Sequence, residues 1–253
     1  MPTNAIRVVS AVENDVLYVD LANPDRRNAI DGAFIDSLTK ALENIESVRA
    51  VLLRSLGPDF SVGGDVHAFA AADDPSAFIG GLATSFHHAI RTLTQSSAVV
   101  VAAVRGWATG AGMSLALAAD ICLAAQTARF RAAYPAIGLS PDGGMSWALP
   151  RALGRSAALY TILSNRVISA RELHTLGLIA GVYPDEDLAR AADEFVQQIT
   201  AIPQEAVAAT KQLIHEAHNR DLSAHLDHET AAIARCAATP SSRALVRKFG
   251  SRR

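Results

Sequence analysis

The hydrophobic and polar positions of the first 150 residues follow two alternating patterns, short apolar runs and longer amphipathic stretches. Residues 6–20 alternate in polarity and predict two strands joined by a turn near Glu13-Asn14-Asp15. Further strands are predicted at residues 51–53, 99–104 and 121–124, and helices at residues 31–47, 74–93 and 113–118. Strands and helices that alternate in this order predict β-α crossovers, and therefore an α/β fold with a largely parallel sheet.

The pattern changes after Pro150, where one helix-type segment follows another and a single β-like stretch, residues 179–182, interrupts them. Helices are predicted over residues 156–163, 170–176, 186–199, 204–218, 223–237 and 241–249. No Pro-, Ser- or Gly-rich linker divides the chain, so we expect one continuous unit, with an α/β core in residues 1–150 and a helical C-terminal region in residues 151–253. The apolar faces of the late helices predict packing on a neighbouring subunit or closure over the chain's own core.

Composition narrows the function class. Half of the 253 residues are hydrophobic and the net charge is −2, which predicts a full globular core and no nucleic-acid partner, since such a partner requires a basic stripe. The longest apolar run, residues 98–104, is too short to span a bilayer, and the N-terminus lacks a signal pattern. The two cysteines have no metal-ligand spacing. We therefore expect a soluble cytoplasmic protein without a metal.

Two glycine-bearing turns carry the candidate chemistry. Residues 60–65 (FSVGGD) and 106–114 (GWATGAGMS) each follow a β-type run. Gly63 and Gly64 permit backbone angles that a side chain would disfavour, and Asp65 is expected to cap or brace the first turn. The N–H groups around Gly110-Ala111-Gly112 stand at the mouth of a helix, where they lack helical partners. Two such N–H groups aimed at one point would make an oxyanion hole.

Phosphate-binding motifs do not fit the second turn. Met113-Ser114-Leu115 follows Gly112, so the third glycine of a dinucleotide fingerprint is missing. The Gly-Lys-Ser/Thr ending of a phosphate loop is also absent from the chain.

A third segment, residues 133–144 (AYPAIGLSPDGG), is followed by Leu149-Pro150-Arg151 and Gly154. Together with Asn28-Ala29, the two glycine turns and residues 115–120 (LALAAD), it resembles the crotonase (enoyl-CoA hydratase/isomerase) superfamily. This resemblance implies a spiral of β-β-α units, a homotrimer or a dimer of trimers, and an acyl-CoA substrate. Coenzyme A is then part of the substrate and no separate cofactor is expected. The resemblance also implies that the N–H groups of Gly64 and Ala111 hold the thioester oxygen.

The catalytic acids of the superfamily must be compared with this sequence one position at a time. Hydratases of the superfamily use two glutamates, and the matching positions here are Ser114 and Tyr134, neither of which is a carboxylate. Asp142 matches the acid that moves a proton in the isomerases, so the chain is most similar to members with a single aspartate. A double-bond shift needs one shuttling base and a stabilised enolate. The simpler interpretation of Asp142 is a turn residue in Pro-Asp-Gly or a helix cap.

Tyr134, His87 and Ser114 are candidates for the acyl pocket. An aromatic residue at 134, a histidine near 87 and an aspartate at 142 also suit the acyl-CoA dehalogenases of the superfamily, in which the aspartate is a nucleophile. Plain packing of Tyr134 and a half-exposed helical pair, His87-His88, are the simpler alternatives. The loop of residues 66–82 and the helical C-terminal region are expected to form the pocket walls.

The resemblance also implies where coenzyme A would bind. Arg26 and Arg27 are expected near its phosphates or adenine, and the backbone of Val62, Gly64, Asp65 and Val66 along its adenine and pantetheine. His67 stands where many relatives carry a lysine. The basic residues near the C-terminus are interpreted as a solvated tail, or as a phosphate-binding or subunit-docking end; they are Arg243, Arg247, Lys248, Arg252 and Arg253.

These observations predict an acyl-CoA enzyme that moves a double bond in an enoyl-CoA by enolate stabilisation and an Asp142 proton shuttle. Three alternatives stay open at this point. They are an enoyl-CoA hydratase with an unrecognised acid, a hydrolytic acyl-CoA dehalogenase, and an acyl-CoA binder without activity.

Overall fold

The computed structural model describes residues 6–251. Its strands are β1 (Val8–Glu13), β2 (Val16–Leu21), β3 (Ala50–Ser55), β4 (Val99–Val104), β5 (Trp107–Thr109), β6 (Ile121–Ala125), β7 (Arg129–Arg131), β8 (Ile168–Ser169) and β9 (Gly181–Tyr183). Its α-helices are α1 (Gly32–Ala41), α2 (Val66–Ala71), α3 (Pro75–Gln95), α4 (Ala111–Leu117), α5 (Met145–Leu153), α6 (Arg155–Leu163), α7 (Ala170–Thr175), α8 (Leu188–Thr200), α9 (Gln204–Glu216), α10 (Leu222–Ala238) and α11 (Pro240–Gly250). Short 3₁₀ helices lie at Pro24–Arg26, Ile45–Ser47, Tyr134–Ile137 and Ala217–Asn219.

Six strands form the larger sheet, in the order β1-β2-β3-β4-β6-β9. Only the β1–β2 hairpin is antiparallel, and its turn residues Asn14 and Asp15 have φ of 52° and 63°. The neighbours β2–β3, β3–β4, β4–β6 and β6–β9 are parallel. The largely parallel sheet that the sequence predicts is therefore confirmed, and the near-continuous apolar sequences of β3 and β4 reflect burial on both faces.

A smaller sheet, in the order β5-β7-β8, explains the repeating unit of the fold. The strand β4 lies in the larger sheet, β5 lies in the smaller one and α4 follows; β6 and β7 divide in the same way. Ser61 extends the pattern one turn earlier, because it bridges to Ala108 of β5 after the chain leaves β3. Successive β-β-α units thus wind into a spiral, as expected.

The predicted helix starts are confirmed by their caps. The Asp31 carboxylate accepts the Phe34 N–H at 2.8 Å, and the Asp74 carboxylate accepts the Ala77 N–H at 3.0 Å. The predicted length of the first helix is wrong. The helix α1 ends at Ala41 and a separate 3₁₀ turn follows at Ile45–Ser47, because the chain must turn before it enters β3.

Three other expectations need correction. Residues 66–82 are not a loop, since α2 and the beginning of α3 occupy them. A helix, α5, begins before the predicted change at Pro150 and includes that proline. The strands β5, β7 and β8 were not predicted, because runs of two or three residues are too short to show a period.

The late helices divide into two groups. The helices α8 and α9 pack against strands of the larger sheet. This part of the C-terminal region therefore closes over the chain's own core, one of the two arrangements expected from the sequence. In α10 only Ala232 is buried, and none of the described side chains of α11 is buried. Apolar side chains such as Ile233 and Phe249 stay 71% and 82% exposed there.

Residues 6–251 lack two features, a membrane-spanning helix and a cluster of metal ligands. No helix there combines the length and apolarity needed to cross a bilayer. The same residues contain no group of three or more His, Cys, Asp or Glu side chains placed to hold a metal ion.

Candidate active site

The two glycine turns meet because Ser61 pairs with β5. The Ser61 N–H donates to the Trp107 carbonyl and the Thr109 N–H donates to the Ser61 carbonyl, both at 2.9 Å. Gly63 then passes so close that an added Cβ would lie 2.4 Å from the Thr109 oxygen and 3.3 Å from the Ala111 nitrogen. Gly63 also has φ of +84°, so both space and backbone conformation require glycine at this point.

The amides of Gly64 and Ala111 are both free in the described part of the chain. The residues on either side of Gly64 form the β-bridge to Ile30. The Ile30 N–H donates to the Gly63 carbonyl, and the Asp65 N–H donates to the Ile30 carbonyl. This leaves the Gly64 N–H without an acceptor among residues 6–251. Ala111 is the first residue of α4, and an N–H at that position has no acceptor within its helix.

A cavity of about 410 Å³ contains both amides and one carboxylate. Its described lining residues are Val62, Gly64, Val66, Phe69, Ile79, Gly80, Ala83, Thr109, Gly110, Ala111, Ala133, Tyr134, Ala136, Ile137, Leu139, Ser140 and Asp142. Apolar side chains dominate this set, and Asp142 is its one acidic member. The helical C-terminal region, residues 151–253, supplies none of these described lining residues.

Two hydroxyl groups donate hydrogen bonds to Asp142. The Tyr134 hydroxyl donates to Oδ1 of Asp142 at 2.6 Å. The Ser114 hydroxyl donates to the main-chain oxygen of Asp142 at 2.8 Å and lies 3.1 Å from the Tyr134 hydroxyl. Burial, followed by the negative charge of Asp142, raises the pKa of Tyr134 well above its usual value. Tyr134 therefore stays a hydrogen-bond donor at neutral pH.

His87 lies beside the same turn. Its Nε2 accepts the Gly143 N–H at 3.1 Å and stands 4.0 Å from Oδ2 of Asp142. A nitrogen that accepts a hydrogen bond carries no proton, so this contact is made by an unprotonated Nε2. The 4.0 Å approach is then a contact between an imidazole and a carboxylate, and it becomes an ion pair only if Nε2 is protonated.

The structure brings most of the predicted site residues together. Gly64, Ala111, Tyr134 and Asp142 line one cavity, and Ser114 is fully buried directly beneath it. Val62 and Val66 line the same cavity. The predicted capping role of Asp65 is confirmed, because its side chain accepts the Ala68 N–H at the start of α2.

The two arginines are already paired with carboxylates. Arg26 contacts Asp65 at 2.5 Å and Asp31 at 3.4 Å, and Arg27 contacts Asp59 at 2.6 Å. Neither is among the described residues that line the cavity. Their side chains are 42% and 51% exposed, so they stay accessible to a ligand from outside.

The apolar side of the cavity comes partly from residues 66–82, which were expected to form a pocket wall, although no individual side chain there beyond Val66 was predicted. Phe69 on α2, Ile79 on α3 and the pair Ile137 and Leu139 supply it. The spacing of Val66 and Phe69, three residues apart, is a helical signal that could have placed both on one face of α2. The residues after Tyr134 carry no such periodicity.

Comparison with known proteins adds an independent observation. A family model described as enoyl-CoA hydratase/isomerase matches residues 11–253. The chain is 33% identical over 227 residues to the 1,2-epoxyphenylacetyl-CoA isomerase of Escherichia coli K12, covering 88% of this chain and 87% of that protein. A solved enoyl-CoA hydratase from Polaromonas sp. JS666 superimposes with a TM-score of 0.89 at 33% identity, covering 97% of each chain. A candidate enoyl-CoA hydratase from Thermobifida fusca YX in complex with acetoacetyl-CoA has a TM-score of 0.85 at 32% identity, covering 92% of this chain and 96% of that chain.

Proposed function

This chain belongs to the enoyl-CoA hydratase/isomerase family of acyl-CoA enzymes, and we propose that it moves a carbon–carbon double bond in an enoyl-CoA. One observation carries this proposal. The cavity that holds the free amides of Gly64 and Ala111 has Asp142 as its one acidic lining residue. A double-bond shift needs one base, whereas hydration needs both an activated water and a proton delivered to carbon.

The two amides supply the electrophilic part of the reaction. When the thioester oxygen accepts the N–H groups of Gly64 and Ala111, negative charge that develops on this oxygen is stabilised in a largely apolar cavity. The C–H bond next to the conjugated system becomes more acidic as a result. The enolate is the species that these donors would bind most tightly.

Asp142 supplies the proton transfer. Its carboxylate removes a proton from the γ-carbon, the C–H electron pair moves into the dienolate, and the negative charge resides on the thioester oxygen. The same carboxylate then returns the proton to the α-carbon. The double bond has moved by one position, and neither water nor an oxidant has been consumed.

Ser114 and Tyr134 argue against the usual hydration chemistry. Both stand at the positions that the family resemblance assigns to the hydratase glutamates. Both donate hydrogen bonds to Asp142, so neither is placed or charged to deprotonate a water molecule. The side chains present therefore favour isomerisation over water addition.

Binding of coenzyme A is part of the same proposal. The backbone around Val62, Gly64 and Val66 lines the cavity and is the expected path of the pantetheine. Arg26 and Arg27 would reach the phosphates by exchanging their present carboxylate partners. The exposed apolar side chains of α10 and α11, which include Ile233 and Phe249, support packing on further copies of the chain, for which the family resemblance implies a homotrimer or a dimer of trimers.

A panel of enoyl-CoA thioesters with product analysis tests the proposal. We expect the wild-type protein to give positional isomers without 3-hydroxyacyl products. Asp142→Asn removes the base and keeps the shape of the side chain, so we expect kcat to fall about 10²- to 10⁴-fold with acyl-CoA affinity retained. Formation of 3-hydroxyacyl-CoA, or near-normal turnover by Asp142→Asn, would contradict the proposal. Tight binding with no turnover of any thioester would identify a non-catalytic binder.

A second candidate function rests on the approach of His87 Nε2 to Oδ2 of Asp142 at 4.0 Å. In hydrolytic dehalogenation Asp142 would bond to the halogen-bearing carbon and expel halide. His87, once its Nε2 releases the Gly143 N–H, would then take a proton from the water that cleaves the resulting ester. This route predicts a covalent adduct on Asp142 when the protein meets a halogenated acyl-CoA. Intact-protein mass spectrometry detects the adduct, which the isomerase mechanism does not form.

A further inference from the structure

We propose that Tyr134 and Ser114 are positioning residues for Asp142, and that together they leave Oδ2 as the single oxygen that carries the proton. This inference rests on the proposed isomerase function, because it assigns roles to the neighbours of its base. It also explains why two buried hydroxyl groups lie against the acidic residue of a largely apolar cavity.

Tyr134 fixes the carboxylate group. Its hydroxyl lies 2.6 Å from Oδ1 of Asp142, a short bond of the kind that an ionised acceptor makes. The phenol has one proton, so a bond to Oδ1 commits that proton to Asp142. Oδ2 has no hydrogen-bond donor among residues 6–251, because the His87 Nε2 at 4.0 Å is itself occupied by the Gly143 N–H. Oδ2 is therefore the oxygen open to substrate.

Ser114 fixes the backbone that carries the carboxylate. Its hydroxyl is fully buried and donates at 2.8 Å to the main-chain oxygen of Asp142. The Gly143 that follows is equally constrained, since an added Cβ would lie 2.8 Å from the Cβ of Ser114 and 2.6 Å from the ring of Phe86. The turn around Asp142 is thus fixed by packing on one side and by a hydroxyl on the other.

The same geometry explains why neutral side chains occupy positions 114 and 134. Position 134 reaches Oδ1 directly, and the Ser114 hydroxyl lies 3.1 Å from the Tyr134 hydroxyl. A carboxylate at either place would oppose the ionised form of Asp142 in a poorly solvated environment. Neutral donors favour that ionised form instead. A single-base isomerase requires such donors where a two-base hydratase requires acids.

Tyr134→Phe isolates the carboxylate contact, because it removes one hydroxyl and keeps the ring. We expect kcat to fall about tenfold with KM nearly unchanged, since the substrate contacts persist. The acid limb of kcat/KM should move to higher pH, because the ionised carboxylate has lost its hydrogen-bond donor. Ser114→Ala should lower kcat without moving the acid limb, since Ser114 holds the backbone and not the carboxylate. Tyr160→Phe is the matched control, because Tyr160 is 63% exposed on α6 and should change nothing.

Infrared difference spectroscopy on the protonated-carboxyl band, assigned with Asp142→Asn, gives a readout that needs no turnover. The pH at which the band appears should rise in Tyr134→Phe. If isomerisation is observed but Tyr134→Phe moves neither the band nor the acid limb, the positioning role is overturned and the proposed function stands. If no thioester is isomerised but the band still moves, the contact is real and the proposed function fails. A loss of kcat with an unmoved acid limb in Tyr134→Phe means a structural role only and also overturns the inference.

Discussion

The floor and the cover of the cavity are built in opposite ways. The floor consists of residues 61–64, the first turn of α4 and the turn at Asp142, and it includes Ser61 and Ser114, which are fully buried. The cover, residues 66–82, comprises α2 and the beginning of α3 and contains no buried residue. The floor holds the groups to which the proposed chemistry is assigned, whereas the cover supplies apolar side chains that would contact the acyl group.

Glycine has a different meaning in these two regions. Gly63 in the floor has φ of +84° and would clash with the Thr109 oxygen if it carried a Cβ. Gly80 and Gly81 in the cover are helical and have open space around the position of a Cβ. Backbone geometry therefore dictates the floor glycine but not the cover glycines. The comparison indicates a closely packed floor, which the proposed reaction requires, and a loosely packed cover, which would adapt to the acyl chain.

Removing one backbone N–H from the floor is expected to have the largest effect on activity in this comparison. Ala111→Pro deletes the N–H at the first position of α4, where proline fits helical geometry. We expect kcat to fall about 10²- to 10³-fold, the usual effect of losing one oxyanion donor. Steady-state kinetics with an enoyl-CoA measures this loss. Ala111→Gly keeps the N–H and is the control; a Pro variant as active as the Gly variant would remove Ala111 from the mechanism.

A second prediction concerns Cys122 in the larger sheet. Burial raises the pKa of the Cys122 thiol in β6 to about 12. The unfolded thiol ionises near pH 9 while the folded thiol keeps its proton, so the native state binds more protons above that pH. The free energy of unfolding should then fall by up to about 1.4 kcal/mol per pH unit, beginning near pH 9.

Urea unfolding at pH 8 and pH 10 checks this slope. Cys122→Ala should lose part of the pH dependence, although it starts from a lower stability because a small cavity is left. Cys236→Ala, on the outer helix α10, is the control. If the free energy of unfolding depends equally on pH in the wild type and in Cys122→Ala, the Cys122 thiol is more accessible to water than its burial indicates.

The smallest expected effect lies in the cover. Gly80→Ala and Gly81→Ala should each raise the free energy of unfolding by up to about 1 kcal/mol, because alanine favours the helix and meets no obstacle. Gly63→Ala in the floor should lower it instead. Chemical denaturation of the three variants compares the regions directly. A destabilised Gly80→Ala protein would mean that the cover is packed as tightly as the floor.

Much of this organisation could be predicted from the sequence, and the exceptions have physical causes. The apolar runs of β3 and β4 and the caps Asp31 and Asp74 are local signals, so the strands of the main sheet and the starts of α1 and α3 were predicted correctly. The strand β7 was missed because its three residues include Arg129 and Arg131, which show no strand signal on their own. Similarly, Pro150 argues against the interior of a helix, although α5 contains it.

The candidate site was predictable where it depends on backbone and was less so where it depends on side-chain contacts. The glycine turns and Asp142 stand out because their residue types restrict what the chain can do. The bond from Tyr134 to Asp142 crosses eight positions through a 3₁₀ turn, and no periodicity connects the two. The contact between His87 and Gly143 joins residues 56 positions apart and depends entirely on the fold.

The most direct measurement for the central claim is the infrared spectrum of a bound, non-reacting acyl-CoA labelled with ¹³C at the thioester carbonyl. If Gly64 and Ala111 polarise this carbonyl, its stretching band shifts to lower frequency on binding to the wild-type protein and returns toward the solution value in Ala111→Pro. A band that stays at the solution frequency in the wild-type complex would contradict the account.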